Sequence, residues 1–139
     1  MIGAMLGTML VRRSYDAINQ GDVAAIMANW NDEATLTYPG NLSVSGTRKG
    51  RHAIEAWFRH FVEAVPTRTF KLSSICVQNI FDIVGTNVIA AQWEDRPVNR
   101  AGESFHVRGV TVATSRWGKI TSSTVYIFDP SVLPRIWGE

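Results

Sequence analysis

The sequence predicts one α+β domain in which three N-terminal helices pack on a strongly curved antiparallel sheet and close a cone around an apolar pocket. Two observations predict this fold: helical periodicity dominates the first 66 residues, and β-rich runs fill the chain from residue 69 onward. Because amphipathic helices and a one-sided sheet each need an apolar partner, the helices must cover one face of the sheet. A chain of 139 residues is close to the commonest domain size, so we expect a single domain over residues 1–139.

The helical signals fall into three segments. The first runs to Gln20, where Gly21 supplies the left-handed residue that ends a helix and Asp22 is a good N-cap for the next. The second segment is expected to present one apolar face, made of Val23, Ile26, Met27 and Trp30. The third is the clearest helix and ends at Pro66; its apolar face is made of Ile54, Trp57, Phe58, Phe61, Val62 and Val65.

The β-rich segments predict a small hairpin followed by a meander. Residues 34–38 and 42–45 flank a Pro-Gly-Asn turn and form the predicted hairpin. Longer runs follow near residues 69–80, 86–97, 103–115 and 119–128, and the separators at 82–85, 99–102 and 116–118 have turn chemistry. Because these runs exceed the usual strand length of about five to six residues, the sheet should bend strongly around the third helix.

Composition narrows the class of partner. The 14 Lys and Arg residues against 12 Asp and Glu residues are mostly scattered, so the dense basic stripe of a nucleic-acid binder is missing. The apolar residues 1–11 are too short to span a bilayer and lack the flanks of a signal peptide, so no membrane partner is expected. The single cysteine, Cys76, is expected to be buried and fits a reducing, cytoplasmic location.

Several short strings, in this order along the chain, resemble the nuclear-transport-factor-2-like superfamily and, within it, the SnoaL-like group. They are Tyr15 to Asp22, Asp32 to Leu36, Gly50 to Ile54, Arg108 to Val110, and Gly118 to Ile120 with Phe128 to Pro130. The resemblance covers nearly the whole chain and implies a cone-shaped fold with a pocket between sheet and helices. Relatives include ketosteroid isomerases, limonene epoxide hydrolases and polyketide cyclases, so the fold alone does not choose a reaction.

The acid/base groups of ketosteroid isomerases are missing at the matching positions. Their tyrosine and two aspartates would fall at Ser14, Tyr38 and Val110. Tyr15, beside the first of these positions, is expected on a different face of its helix. A reaction that needs one group to take a proton and another to hold an enolate cannot use these side chains, so this activity is rejected.

Limonene epoxide hydrolases match this chain at one charged group. These enzymes use three charged residues, an arginine and two aspartates. In this chain one aspartate remains as Asp95, whereas Trp93 replaces the arginine and Val125 replaces the second aspartate. No obvious acid is left to protonate an epoxide. This comparison therefore weakens the hydrolase interpretation and keeps Asp95 as a candidate base.

SnoaL-type cyclases resemble the chain in a less demanding way, because they use one aspartate as acid/base in an otherwise apolar pocket. Alternation along the strands places Asp95 on the face of Trp93, and His106 on the face of Arg108 and Val110. If both faces are inner faces, a carboxylate, an imidazole and a guanidinium converge. In the alternative interpretation Asp95 is a solvated rim residue or an ion-pair partner, and His106 is a half-buried structural histidine.

The remaining pocket residues are aromatic or apolar. Tyr38 completes the candidate catalytic set with Asp95 and His106, since its hydroxyl could hydrogen-bond a ligand oxygen; it is equally suited to core packing. The expected ligand-binding residues are Trp30, Trp57, Phe61, Trp93, Arg108, Val110 and Val125. By default the aromatic members of this set are core, although a pocket in this fold is the same core left unfilled.

The C-terminal tail and the remaining polar residues concern partners. Trp137 is costly to expose, so the tail should dock on the sheet or on a second subunit, which favours a homodimer. Asp129 is expected to act as a cap or turn residue. Three dispersed histidines and the lack of a Gly-rich phosphate loop predict no metal and no nucleotide cofactor.

Two functions remain open at this point. The first is a SnoaL-like protein that binds a small hydrophobic molecule bearing an oxygen function, with isomerase, cyclase, lyase or hydrolase chemistry at Asp95, His106 and Tyr38. The second is a non-catalytic ligand-binding or dimeric interaction module of the same fold. They differ in whether Asp95 and His106 point into one cavity.

Overall fold

The computed structural model describes residues 1–81 and 85–139. The helices are α1 (Ile2–Gln20), α2 (Val23–Met27), α3 (Arg51–Ala64) and α4 (Leu133–Trp137), with a short 3-10 helix at Pro130–Val132. The strands are β1 (Trp30–Tyr38), β2 (Gly46–Lys49), β3 (Lys71–Val77), β4 (Thr86–Asp95), β5 (Val107–Arg116) and β6 (Lys119–Ile127). The architecture is α+β, as predicted: helices cover one face of a curved, unclosed sheet.

The corner between α1 and α2 forms as the sequence predicts. Gly21 ends α1 in the left-handed region at φ 68°, and the Asp22 side chain accepts a hydrogen bond from the Ala25 backbone N–H. A residue with a Cβ would be strained at this backbone angle. The second helix is shorter than expected, because it ends at Met27 and Trp30 already begins β1.

The sheet order is β2-β1-β6-β5-β4-β3 in the described part of the chain. The meander from β3 to β6 is antiparallel, as predicted. The pair β1–β6 is parallel, and at this one pair the predicted antiparallel sheet needs correction. Parallel neighbours need a long connection, and here it consists of β2, α3 and the next three strands. A pattern read locally does not reveal that the first and last strands pair.

The predicted hairpin has a different second strand. β1 pairs with Gly46–Lys49 rather than with residues 42–45, which form a turn that buries Val44. The carbonyl oxygen of Val44 accepts a hydrogen bond from Trp57 Nε1 at 2.9 Å. This turn is therefore held on α3 and is not paired within the sheet.

The core lies between the helices and the inner face of the sheet. Ile26, Ile54 and Ile89, from α2, α3 and β4, are each at most 1% exposed. The apolar stripe predicted for α3 is buried at four of its positions within the helix: Ile54, Trp57, Phe58 and Phe61. Helix α3 thus packs its apolar face against the inner face of the sheet and covers the core.

The C-terminal tail docks on this chain, as predicted for its tryptophan. Trp137 is 6% exposed, and its ring packs against those of Phe61, Trp57 and Tyr38. Asp129 caps the 3-10 helix that precedes α4, because its side chain accepts a hydrogen bond from the Ser131 backbone N–H. The tail therefore closes one side of the core.

One further sequence expectation is corrected by the structure, and another lies outside the described residues. Cys76 is exposed, so the prediction of a buried cysteine was wrong: β3 alternates, and Ile75 and Val77 turn inward instead. The predicted turn at 82–85 includes residues 82–84, which lie outside the described residues. In the described part of the chain no helix is long and apolar enough to cross a membrane.

The register of β4 against β5 brings an indole ring onto the backbone. Trp93 stands opposite Gly109, and a Cβ added at Gly109 would lie 2.6 Å from Trp93 Cζ2. It would also collide with the carbonyl oxygen of Tyr126 on β6. Because Gly109 has no side chain, it leaves the space into which the Trp93 side chain packs.

We predict that Gly109→Ala destabilises the fold by roughly 1–3 kcal/mol, because the added methyl group overpacks a closely packed contact. Denaturant unfolding of the single variant measures this free energy. In a Trp93→Phe background the same substitution should cost less, since Phe lacks the ring atoms that meet the new Cβ. Equal costs in both backgrounds would contradict the contact.

Candidate functional site

A cavity of about 120 Å³ lies between the helices and the inner face of the sheet. Among the residues that line it are six of those expected to do so: Trp30, Tyr38, Trp57, Phe61, Trp93 and Val125. For comparison, an apolar cavity of roughly 150 Å³ holds a benzene molecule. The space therefore suits a group about the size of a single ring.

Asp95 contributes a carboxyl group to the wall of this cavity. It ends β4, is 4% exposed, and its Oδ1 accepts a hydrogen bond from the Thr69 backbone N–H at 2.7 Å. Burial raises the pKa of the Asp95 carboxyl to about 6, although hydrogen bonds from backbone N–H groups and the charge of Arg68 oppose the rise. At neutral pH most of this carboxyl is ionised, and it is ready to accept a proton.

His106 does not join Asp95 in the cavity. Its side chain lies on the exposed side of the sheet, where Nε2 is 2.8 Å from Glu94 Oε2. The hydrogen bond with His106 lowers the pKa of the Glu94 carboxyl. The expected convergence of His106 with Asp95 is therefore not observed.

Arg108 and Val110 lie on the same outer face. Arg108 is exposed, Val110 is partly buried, and neither lines the cavity. The expectation that they face a ligand was wrong. The reason is the strand register: Asp95 stands opposite Val107, and residues that stand opposite each other in a sheet share a face. The inner face of β5 thus carries the odd-numbered residues.

Thr111 and Tyr15 add hydroxyl groups to the wall. Trp93 Nε1 donates to Thr111 Oγ1 at 2.9 Å, and the Tyr15 hydroxyl donates to the same oxygen at 2.7 Å. With both lone pairs engaged, the Thr111 hydroxyl can only donate, yet it meets no acceptor in the described part of the chain. If the Tyr15–Thr111 bond runs the other way, the unused hydrogen is on Tyr15. In either arrangement one O–H donor is left over.

Tyr38 offers a second donor of the same kind. Its hydroxyl oxygen accepts a hydrogen bond from Trp137 Nε1 at 3.1 Å, and no described residue accepts the hydroxyl's own hydrogen. Burial raises the pKa of Tyr38 and of Tyr15, so both phenols stay protonated at neutral pH. Both are therefore donors rather than bases.

Sequence reasoning missed Tyr15 and Thr111. Tyr15 was expected on a different helix face from Ser14, but both residues line the cavity. Thr111 was overlooked because the alternation of β5 was read from His106 rather than from Val107. The signal for the correct phase was available in the sequence, since the face of β5 that was taken as inner begins and ends with charged residues, Arg108 and Arg116.

The polar residues of the site do not form a metal centre. In residues 1–81 and 85–139, no group of three or more His, Cys, Asp or Glu side chains could hold a metal ion. The cavity instead combines one carboxyl group, two spare hydroxyl donors and an aromatic wall. This arrangement can bind an oxygen acceptor and move a proton.

The family of this chain follows from a match to a SnoaL-like domain model over residues 11–123. Since the match covers most of the chain, the chain belongs to the SnoaL-like domain family, and the resemblance seen in the sequence is confirmed. No functionally curated protein matches the sequence.

Solved structures share the fold. An NTF2-like protein of unknown function from Burkholderia pseudomallei has a TM-score of 0.82 at 18% identity, covering 96% of this chain and 98% of its own. Bal32a, from a soil-derived mobile gene cassette, has a TM-score of 0.78 at 24% identity, with coverages of 97% and 98%. TerC, co-crystallised with polyporic acid, has a TM-score of 0.73 at 16% identity, with coverages of 96% and 99%. At these identities the likeness establishes the fold alone.

The raised pKa of Asp95 predicts how the stability of the protein depends on pH. A buried carboxyl with a raised pKa favours the folded state fully below its ordinary pKa of 3.8, and this contribution is lost as the pH rises through about 6. We therefore expect Asp95→Asn to stabilise the fold at pH 8 by roughly 2–3 kcal/mol and to have little effect at pH 3.5.

Urea unfolding of both proteins across this pH range measures the difference. Asp16→Asn, at an exposed position on α1, is the matched control and should change stability by the same small amount at every pH. An Asp95→Asn effect that does not vary with pH would contradict the burial of an ionisable carboxyl.

Proposed function

We propose that this protein binds a small, mostly apolar molecule bearing an oxygen function and transfers a proton within it, with Asp95 as the acid/base group. The observation that carries the proposal is a carboxyl group buried on the wall of an aromatic cavity and without an ion-pair partner in the described part of the chain. A carboxyl in such a place costs stability, which argues for a use.

The reaction step uses groups on the cavity wall, in an arrangement different from that of the ketosteroid isomerases. The base is Asp95, and Tyr38, which lies where those enzymes have an aspartate, acts only as a hydrogen-bond donor. Asp95 takes a proton from a C–H bond beside a ligand carbonyl; the C–H electron pair forms a C=C bond, and the carbonyl π pair moves to oxygen. The spare O–H of Tyr38, or that of the Tyr15–Thr111 pair, donates to this oxygen as its charge develops. If the ligand has a C=C bond next to the carbon that loses the proton, return of the proton from Asp95 to the far end of the conjugated system completes an isomerisation. Alternatively, the enolate carbon adds to a second carbonyl carbon of the same ligand; the π pair of that carbonyl moves to its oxygen, which takes the proton from Asp95, and a ring is closed. The atoms and electrons balance without an added oxidant or reductant.

One protein of the same fold has been crystallised together with a small organic molecule. TerC, which has the same fold, was co-crystallised with polyporic acid. For the present chain, the cavity volume and the two spare donors favour a ligand with a single ring and one or two acceptor oxygens. Trp30, Trp57, Phe61, Trp93 and Val125 remain in the proposed ligand-binding set, and Tyr38 keeps its proposed place in the catalytic set as a hydrogen-bond donor.

A second candidate function is ligand binding without catalysis. It is favoured by the position of His106, since the cavity is left with one group that titrates near neutral pH. A single carboxyl can shuttle a proton, but it lacks a partner acid of matched pKa. The two functions differ only in whether a bound ligand exchanges its acidic protons faster than it does in water.

Acetophenone tests the proposal, because it offers one ring, one carbonyl and exchangeable C–H bonds. We expect the wild-type protein in D2O to accelerate deuterium uptake at the acetophenone methyl group. The loss of the methyl signal in proton NMR spectra measures this uptake. Asp95→Asn should abolish the acceleration, and Tyr38→Phe should weaken acetophenone binding about 3- to 10-fold through one lost hydrogen bond.

His106→Gln is the matched control and should exchange as fast as the wild type, because His106 lies on the outer face of the sheet. If acetophenone binds in the cavity but the wild type exchanges its methyl protons no faster than Asp95→Asn does, catalysis is rejected. The second candidate function, ligand binding without catalysis, would then stand. An equal loss of deuterium exchange in His106→Gln and Asp95→Asn would contradict the placement of Asp95 inside the cavity and of His106 outside it.

We also propose a homodimer in a reducing, cytoplasmic environment. The outer face of the sheet carries an apolar patch, made of Val110, Val112, Tyr126 and Phe128, and the last two are each 55% exposed. A patch of this kind is typical of a protein interface. The exposed free thiol of Cys76 suits a reducing compartment.

Sedimentation velocity tests the dimer. We predict a dimer for the wild type at micromolar concentrations and a monomer for Tyr126→Glu, because a charge in the centre of the patch would be buried without a partner. Trp117→Glu changes an aromatic that is 64% exposed on the β5–β6 turn and should leave the dimer intact. A monomeric wild type would contradict the proposal.

A further inference from the structure

Arg68 is a buried cation that binds the backbone rather than a carboxylate. It is 7% exposed and lies between α3 and β3. Its Nε donates to the carbonyl oxygen of Ile18 at 2.8 Å, and its Nη1 donates to those of Val65 at 2.5 Å and Val62 at 3.4 Å. The guanidinium thus joins the ends of α1 and α3.

The corner at the end of α1 is shaped around this guanidinium. A Cβ added at Gly21 would lie 2.8 Å from Arg68 Nη2, so the glycine leaves room for the side chain. Next to this corner, the Asn19 side chain accepts from the Phe70 backbone N–H at 2.8 Å and donates to the Phe70 carbonyl oxygen at 3.0 Å. Residues 68 and 70 are therefore both fixed to α1.

The residue between these two anchors donates to Asp95. Thr69 N–H is 2.7 Å from Asp95 Oδ1, and its position is set by Arg68 on one side and Phe70 on the other. Arg68 forms no ion pair with Asp95 or any other carboxylate in the described part of the chain. Its charge acts on the Asp95 carboxyl through space and favours the ionised form.

The titratable and charged groups near Asp95 come from three elements. Tyr15 on α1 and Tyr38 on β1 stay protonated phenols, and Arg68 supplies a positive charge from the segment between α3 and β3. Glu94 lies beside Asp95 in β4 but points to the outer face, where it binds His106. Among the described residues that face the Asp95 carboxyl, Arg68 is thus the one that carries a positive charge.

We propose that Arg68 is the positioning residue for Asp95: its guanidinium binds the ends of α1 and α3, fixes the turn that presents the Thr69 N–H to the carboxyl, and brings a positive charge close to it. The relevance to catalysis rests on the proposed function, whereas the effect on Asp95 does not. Without Arg68, the Asp95 carboxyl would lose a nearby positive charge and a firmly placed donor, so a smaller fraction of it would be ionised and able to accept a proton at neutral pH.

A pH titration of the Asp95 carboxyl by carbon-13 NMR tests this inference without a ligand. The Asp95 signal is assigned by its loss in Asp95→Asn. We expect Arg68→Met to raise the pKa of Asp95 by about one unit or more, since it removes both the charge and the hydrogen bonds that fix the turn. Arg68→Lys keeps the charge, but all its donors lie on one nitrogen, so it cannot span the carbonyl groups of α1 and of the α3 end as Arg68 Nε and Nη1 do. The pKa of Asp95 in this variant should therefore lie between those in the wild type and in Arg68→Met.

Arg59→Met is the matched control, because Arg59 is exposed on α3 and pairs with Glu55. It should leave the Asp95 titration unchanged. An unchanged pKa of Asp95 in Arg68→Met would overturn the inference; if that variant does not fold, an unchanged value in Arg68→Lys overturns it. A shifted titration combined with no deuterium exchange in acetophenone would instead reject the proposed function and leave the role of Arg68 intact.

Discussion

The pairing of β4 with β5 is the constraint on which the site depends. Trp93 stands opposite Gly109, so its indole ring packs closely at the glycine, and its Nε1 donates to Thr111 Oγ1. Asp95 stands opposite Val107, which places the carboxyl on the same inner face. A slip of one residue in β5 would turn the face of His106 into the cavity and remove Thr111 from it. The contact at Gly109 opposes such a slip, because other residues have no space there.

The buried carboxyl is a source of instability that the surrounding backbone only partly offsets. Ionised Asp95 is accepted in the core because Thr69 donates to it and Arg68 lies near it. Each of these contacts is built by residues remote in sequence, at the meeting point of α1, α3 and β3. Stability given up at a site in this way is typical of a functional group. The same packing explains why Gly21 and Asn19 border the site without lining the cavity.

The sequence was sufficient to predict the helices, the late meander, the aromatic wall and the family. Periodicity identifies α3 because its stripe is continuous, and Gly21 with Asp22 marks a helix corner whose chemistry is local. The sequence could not predict that β1 pairs with β6, since pairing between remote strands leaves no local pattern. It also misjudged the face of His106, because alternation gives the period of a strand but its phase depends on the partner strand. Asp95 was identified correctly as a cavity candidate, although its link to Arg68 appears only in three dimensions.

A crystal structure of the wild-type protein with acetophenone tests the central claim most directly. The account predicts the ring between the aromatic side chains of the cone, the carbonyl oxygen within hydrogen-bond distance of Tyr38 or of the Tyr15–Thr111 pair, and the methyl group beside the Asp95 carboxyl. An interior filled by side chains, or an Asp95 carboxyl turned towards solvent and away from the ligand, would contradict it.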